Sequence, residues 1–98
     1  MRQNPKDRKA DILAAAVRMS ALHGYHRVTR EDIALAAKCS PTLVTHYFST
    51  MTYLRRAIMR AAIHTQCLAV VAQGLAMADP VAQKAPQAVR DAAVATLA

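Results

Sequence analysis

The sequence predicts an all-α fold, and its composition and its periodicity both support this class. Glycine and proline number only two and four in 98 residues, whereas alanine, the residue with the highest helix propensity, recurs along the whole chain. The β-branched runs that strands need are few. The length suffices for one domain but not for two independent cores, and chains of this size often bury further surface by self-association. We therefore expect one helical domain that forms a dimer.

The first predicted helix covers about residues 7–23. Apolar residues recur there at intervals of three and four, and polar side chains lie off that stripe. Asn4-Pro5 precedes the helix as a start signal, because proline is well tolerated at the first helical position. Gly24-Tyr25 follows it as a C-terminal cap with an apolar residue behind the glycine.

Two cap signals predict a pair of shorter helices. Thr29 and Asp32 approximate a capping box before residues 30–37, and Ser40-Pro41 begins a helix over residues 41–47. Helices of about eight residues are unstable alone, so both must pack on a longer neighbour. Two such helices joined by a short turn form a helix-turn-helix unit.

The rest of the chain predicts one long helix and one short helix. After Ser49-Thr50 nothing breaks the helical pattern before Asp79-Pro80, which predicts a helix over about residues 51–78. Its second half carries no formal charge and is apolar around most of its circumference, so we expect a partner subunit on one side. Residues 86–97 predict a last helix. Its apolar face is expected to hold Val89, Ala93, Val94 and Leu97.

The excess positive charge is confined to one part of the chain. Residues 1–60 contain eleven Lys and Arg against four Asp and Glu, whereas residues 61–98 contain two of each kind. The whole net charge of +7 therefore belongs to the first sixty residues. This asymmetry is typical of a chain in which one part faces a polyanion and the other faces protein.

Compartment and redox state follow from what the sequence lacks. It has no long uncharged apolar run and no apolar core of a signal peptide at its start, so we expect no membrane association and a cytoplasmic location. Cys39 and Cys67 are the only thiols, and they form no C-x-x-C pair. We expect both to be reduced.

The helix-turn-helix unit predicts DNA binding. In proteins of this kind the second short helix places its side chains in the major groove while the first crosses the backbone. If Val44 and Phe48 face the core, the outward side chains are those that can bond phosphates or base edges or touch a thymine methyl. These are Thr42, Leu43, Thr45, His46 and Tyr47.

From about Asp11 to Leu54 the sequence resembles the DNA-binding domain of the TetR family of bacterial repressors. The matching elements keep the family's order and spacing without a gap. They are Ile12-Leu13, Gly24-Tyr25, Val28-Thr29, Ile33-Ala34, Ala37-Lys38-Cys39-Ser40, Tyr47-Phe48 and the segment Thr50 to Leu54. The resemblance implies a three-helix helix-turn-helix domain over residues 1–50, followed by a long helix and a short C-terminal helical dimerisation segment over residues 51–98.

The resemblance also implies which residues contact DNA. It assigns Thr29, Ser40 and Tyr47 to phosphates and Thr42, Leu43 and His46 to base edges. In this chain Lys38 replaces the turn glycine and therefore needs either a tolerated left-handed conformation or a relaxed turn, Met51 replaces a backbone-contacting lysine, and Thr45 replaces a tyrosine. The predicted DNA-binding set is Thr29, Arg30, Lys38, Ser40, Pro41, Thr42, Leu43, Thr45, His46, Tyr47, Arg55 and Arg56.

The predicted function is that of a homodimeric repressor that reads a palindromic operator. TetR-family proteins normally carry a much longer ligand-binding segment, and we expect the short remainder here to dimerise without a small-molecule effector pocket. The build of the chain is also similar to small repressors of conjugative plasmids. The predicted dimer interface is Ile63, Cys67, Leu68, Val71, Leu75, Val89 and Val94.

Some features of the sequence also support a second interpretation of its function. A helical protein-interaction module that does not read DNA itself would explain the missing lysine at Met51 and the lack of Lys and Arg on the outward face of the third helix. The segment with Arg2, Lys6, Arg8 and Lys9 is either a DNA-contacting basic arm or a solvated tail.

We expect neither metal, cofactor nor catalysis. Cys39 is either a redox-sensitive thiol or a small turn residue, and we favour the turn residue. His64 and Cys67 are too few ligands for zinc, so they are expected to be core residues. Glu31 and Asp32 point about 100° apart on a helix, which is poor geometry for shared acid–base catalysis.

Overall fold

The computed structural model describes residues 4–97, which contain helices and no strand. The all-α prediction is therefore confirmed. No helix in this range is both long and apolar enough to cross a membrane. The seven helices of residues 4–97 are α1 (Pro5–His23), α2 (Arg30–Ala37), α3 (Pro41–Phe48), α4 (Met51–His64), α5 (Leu68–Ala76), α6 (Pro80–Gln83) and α7 (Gln87–Ala95).

The first four helices begin at the residues that the cap signals indicate. The Asn4 side chain accepts a hydrogen bond from the Asp7 N–H, and the Thr50 hydroxyl accepts one from the Tyr53 N–H. At α2 the Thr29 hydroxyl and the Asp32 carboxylate each accept the other residue's backbone N–H, which completes the predicted capping box. Each cap satisfies donors that a helix end would otherwise leave unpaired.

The prediction of one long helix over about residues 51–78 is wrong, because the chain turns between α4 and α5. Gln66 adopts a left-handed conformation with φ of 56°. Its N–H donates to the Ile63 carbonyl at 3.2 Å, and the Cys67 N–H donates to the Ala62 carbonyl at 2.8 Å. These two bonds form a Schellman motif, which usually carries glycine at the left-handed position.

Packing energy explains why the chain turns without a glycine. A left-handed residue other than glycine costs about 1–2 kcal/mol. The turn folds α5 back against α4, α6 and α7, and Val70 and Val71 become completely buried. Burial of each valine stabilises the fold by about 1.5 kcal/mol or more, so the two together offset the strained turn.

The C-terminal part also differs from the prediction in detail. The short helix α6 was not predicted, and Asp79 caps it by accepting the N–H groups of Val81 and Ala82. The predicted apolar face of the last helix is divided in α7. Ala93 is buried and Val89 half-buried, whereas Val94 and Leu97 are more than half exposed.

A single apolar core joins the two predicted segments. Ile12, Ile33 and Phe48 from the first segment belong to the same buried cluster as Leu54 and Ile58 from α4. The cluster continues into α5, α6 and α7. Because the helix-turn-helix unit shares its core with the C-terminal helices, its orientation is fixed by them.

Candidate nucleic-acid interface

One face of α3 is held open to solvent. Val44 and Phe48 are buried, as expected for an inward pair four residues apart. Thr42, Thr45 and His46 are exposed on the other side. Leu43 and Tyr47, also predicted to face outward, are half-buried at the edges of this face and pack against the core. We call Thr42, Thr45 and His46, together with the exposed Pro41, the α3 face.

Two contacts with other helices hold α3 in position, and a third contact lies within it. The Arg30 guanidinium on α2 donates to the Ser49 carbonyl, just after α3, at 2.9 Å. The Lys9 ammonium on α1 lies 5.4 Å from the centre of the Phe48 ring, a distance at which a cation–π interaction forms. The His46 and Tyr47 rings meet edge to face at 5.0 Å. Arg30 thus orients α3 whether or not it also contacts DNA.

Two of the three hydroxyls predicted to bind phosphates, those of Thr29 and Ser40, lie at helix N-termini. The Ser40 hydroxyl accepts the Leu43 N–H at 3.2 Å, and the Thr29 hydroxyl accepts the Asp32 N–H at 3.1 Å. In both cases the hydroxyl proton stays available to a phosphate oxygen. Both residues are exposed, and a helix N-terminus favours an anion. The Thr45 hydroxyl instead donates to the Pro41 carbonyl at 3.3 Å.

The predicted basic contacts have different surroundings. Lys38 is exposed and left-handed with φ of 58°, as the missing turn glycine required. Arg56 is exposed. Arg55 is half-buried and lines a depression of about 250 Å³ with Thr29 and Arg30. Its Nε atom is buried without a hydrogen-bond partner.

For the basic N-terminal segment the sequence left a DNA-contacting arm and a solvated tail open, and the structure shows a helix in the part that it describes. Lys6, Arg8 and Lys9 belong to helix α1, and Arg2 lies outside the described residues. The Asn4 cap and Pro5 begin the helix early, which places these three cations on a rigid element. Arg8 donates to the Lys38 carbonyl at 3.4 Å, so α1 reaches the turn of the helix-turn-helix unit.

The predicted dimer residues lie on or beside α5 and α7, which pack together, and at the end of α4. Val94 is 55 % exposed, and Leu68, Leu75 and Val89 are half-buried. Ile63 and Cys67 are also half-buried. Val71 does not fit the predicted dimer interface, because it is completely buried inside the subunit and has no surface that a partner could contact.

Two hydrogen bonds of Tyr25, just after α1, connect this turn to the C-terminal helices. The Tyr25 N–H donates to the Gln73 side chain at 2.6 Å, and the Tyr25 hydroxyl donates to Asp79. Burial, followed by the hydrogen bond to Asp79 and its negative charge, raises the pKa of Tyr25 to about 12, although Arg55 opposes the shift. The Gly24-Tyr25 turn therefore ties the DNA-binding segment to α5 and α6.

Sequence reasoning missed a cleft of about 670 Å³ beside Tyr25 and Asp79. It lies between the middle of α4, Tyr25 and the segment around α6. Drug-sized ligands occupy sites of roughly 300–1,000 Å³, so the argument that this short chain lacks room for such a site is wrong. The only local sequence signal of this cleft was the spacing of Arg56 and Arg60, which are four residues apart on α4 and therefore share one face of the helix. Lys84 joins them only through the tertiary fold.

The other titratable side chains are brought into no cluster. Cys39 is half-buried and packs against the core, which fits a turn residue. His64 is exposed, so the expectation of a core position is wrong for it, while Cys67 is half-buried. Within residues 4–97 no three His, Cys, Asp or Glu side chains lie close enough to hold a metal ion.

Comparison with known proteins assigns the first half of the chain. Residues 12–58 match the family model described as bacterial regulatory proteins, tetR family. This range spans α2, α3 and most of α1 and α4. No curated protein and no solved structure matches the chain. Residues 12–58 are thus a TetR-family DNA-binding domain, and the protein that carries them is a DNA-binding transcription regulator.

Proposed function

We propose that the protein is a sequence-specific repressor that binds a palindromic operator as a homodimer and has no enzymatic activity. The observation that supports this most directly is the α3 face. Its hydroxyl and imidazole groups are exposed while the same short helix is anchored by Val44 and Phe48. Two such helices in a dimer would enter successive major grooves about 34 Å apart.

The setting that we propose is the cytoplasm of a bacterium, on a conjugative plasmid whose own genes the repressor controls. The resemblance of the short chain to small plasmid repressors supports this assignment. The cleft beside Tyr25 is large enough for a small molecule, so the fold leaves room for an effector.

Selection from random duplex DNA by the purified protein tests sequence reading. We expect a palindrome whose half-site spacing gives the dimer geometry. The double variant Thr42→Ala, His46→Ala should lose operator binding and remain a dimer. Arg18→Gln is the matched surface control, because Arg18 is exposed on α1 and lies outside the predicted DNA-binding set. Retention of operator binding by the double variant would contradict the assignment of the α3 face.

Salt dependence tests the phosphate contacts separately. If the dimer neutralises six to ten phosphates, its affinity for the operator should fall about a thousandfold or more between 50 and 200 mM salt. Titration of the selected operator at both concentrations gives this ratio. A flat response would count against the proposed mode of binding.

One observation favours the protein-interaction module as the second candidate. The α3 face carries no lysine or arginine, and Leu35 on the neighbouring helix α2 is 83 % exposed. A module that binds another regulator would leave such an apolar side chain for its partner. Recovery of no motif, together with unchanged duplex binding by the Thr42→Ala, His46→Ala variant, would support this second function.

A further inference from the structure

We propose that the cleft between α4, Tyr25 and α6 binds a small organic anion, with a carboxylate or phosphate head and an apolar body. The predicted function assigned no small-molecule site here, although it placed two of the lining residues, Arg55 and Arg56, in the DNA-binding set. We call it the anion cleft. Four basic side chains line it, Arg55, Arg56, Arg60 and Lys84, against the single acidic side chain of Asp79.

The acidic residue is not available to the basic ones. One Asp79 oxygen accepts the N–H groups of Val81 and Ala82, and the other accepts the Tyr25 hydroxyl. Within residues 4–97, the side chains of Arg56, Arg60 and Lys84 make no ion pair or hydrogen bond. The cleft therefore gathers positive charge that its own side chains leave uncompensated.

Arg55 adds a buried donor to this arrangement. Its Nε atom has almost no exposed surface and no hydrogen-bond partner. A buried unpaired donor costs about 1–3 kcal/mol, and more if it belongs to a charged group. Arg55 lines the cleft, and an oxyanion that shifts the atoms covering its Nε would satisfy the donor through a charge-assisted hydrogen bond.

The lining of the cleft is also partly apolar. Ile63 on α4 belongs to it, as do Val81 and Ala85 in and after α6. Free phosphate would leave this surface in water, whereas an anion with an apolar body would cover it. The combination of basic and apolar lining residues identifies the ligand as an organic anion.

Position argues against DNA as the occupant of the anion cleft. None of its lining residues comes from α2 or α3. Arg60 follows Met51, the first residue of α4, by nine positions, which is about 13 Å along a helix axis. A duplex against the α3 face would therefore meet Met51, at the start of α4, before Arg60.

Titration of the full chain with benzoate and with phenyl phosphate, followed by nitrogen–proton correlation spectra, tests the site. We expect saturable shifts of the Arg55 Nε–H signal and of the Ala85 amide, with benzamide as the neutral control that gives none. Arg60→Gln should weaken binding of both anions about tenfold. Arg27→Gln, an exposed cation of the neighbouring depression, is the matched control and should change it less than twofold.

The outcomes separate the possible occupants. Stronger binding of benzoate identifies a carboxylate head, and stronger binding of phenyl phosphate a phosphate head. Absence of saturable shifts with either anion, or equal binding of benzamide, overturns the proposal. If neither anion binds and Arg60→Gln instead lowers the salt dependence of duplex binding by about one unit of slope, the cations contact DNA and the proposal is also wrong.

Discussion

At the scale of single residues, three helix ends use a left-handed residue that is not glycine. Lys38, Gln66 and Ala78 have φ of 58°, 56° and 57°. Each is followed by a residue whose N–H reaches back five positions to a helix carbonyl, at 2.8–2.9 Å. The hydrogen bonds of these Schellman caps are therefore good, and the cost lies in the side chain at the left-handed position.

Ala78→Gly should raise the free energy of unfolding by about 1 kcal/mol, because glycine adopts the left-handed conformation without steric cost. Urea unfolding measures the change. Lys38→Gly should give a similar gain while it weakens operator binding, since Lys38 belongs to the predicted DNA-binding set. Ala14→Gly, at an exposed position inside α1, is the control and should destabilise. A loss of stability in Ala78→Gly would contradict this account.

The raised pKa of Tyr25 predicts that the free energy of unfolding depends on pH in the alkaline range. The pKa of an unfolded tyrosine is about 10, and that of Tyr25 is raised to about 12. The folded state then holds the phenol proton more tightly, so this contribution to stability is complete below pH 10 and is lost as the pH rises to 12.

Unfolding of the wild type and of Tyr25→Phe at pH 9 and pH 11 measures the Tyr25 contribution. The wild type should lose about 1 kcal/mol more than the variant between these values, and the difference cancels the titration of other groups. Tyr25→Phe should also remove one of the three tyrosines from the ultraviolet titration of the folded protein at high pH. Equal pH slopes in the two proteins would mean that the phenol proton is not held by the fold.

At the scale of helices, local signals predicted more than long-range contacts did. The starts of α2, α3 and α4 depend on Thr29, Ser40 and Thr50, whose partners lie three residues away, so the sequence alone reveals them. The turn at Gln66 has no glycine or proline to mark it and exists because α5 gains burial elsewhere.

The candidate sites follow the same division between local and distant contacts. The α3 face could be predicted from spacing within one helix. The anion cleft needs Arg60 and Lys84 to meet across the fold, and no local pattern contains that information.

Gly74 sets how closely α5 approaches its neighbours. A Cβ atom at this position would lie 2.9 Å from the Cβ of Ala82 and would collide with the end of the Met59 side chain. Such a contact with Ala82 requires α5 and α6 to move apart. The glycine is therefore a packing residue inside a helix, where it would otherwise be unfavourable.

Gly74→Ala should destabilise the protein by about 1–3 kcal/mol. Helix propensity alone predicts the opposite sign, a gain of about 1 kcal/mol, so the direction of the change decides between the two effects. Thermal and urea unfolding measure it. The double variant Gly74→Ala, Met59→Leu should not restore full stability, because the contact with Ala82 remains. A stabilised Gly74→Ala variant would show that the helices separate without cost.

At the scale of the whole molecule, the proposed dimer surface on α5 and α7 contains positions at which an effect on dimerisation can be separated from an effect on folding. Val94 on α7 is 55 % exposed, whereas Val71 on α5 is fully buried in the same subunit. A charged side chain at position 94 would be solvated in the monomer, whereas one at position 71 would be buried in the core. The two positions therefore distinguish loss of the dimer from loss of the fold.

Val94→Glu should give a folded monomer at concentrations where the wild type is a dimer, as measured by sedimentation velocity and circular dichroism. Two linked half-site contacts bind far more tightly than one, so its operator affinity should fall by about a hundredfold or more. Val71→Glu should instead unfold the chain, since an unpaired charge is buried. Leu35→Glu, on the exposed side of α2, is the matched control and should remain dimeric. An unchanged dimer in Val94→Glu, or a monomer in Leu35→Glu, would place the interface elsewhere and require a different spacing between the two recognition helices.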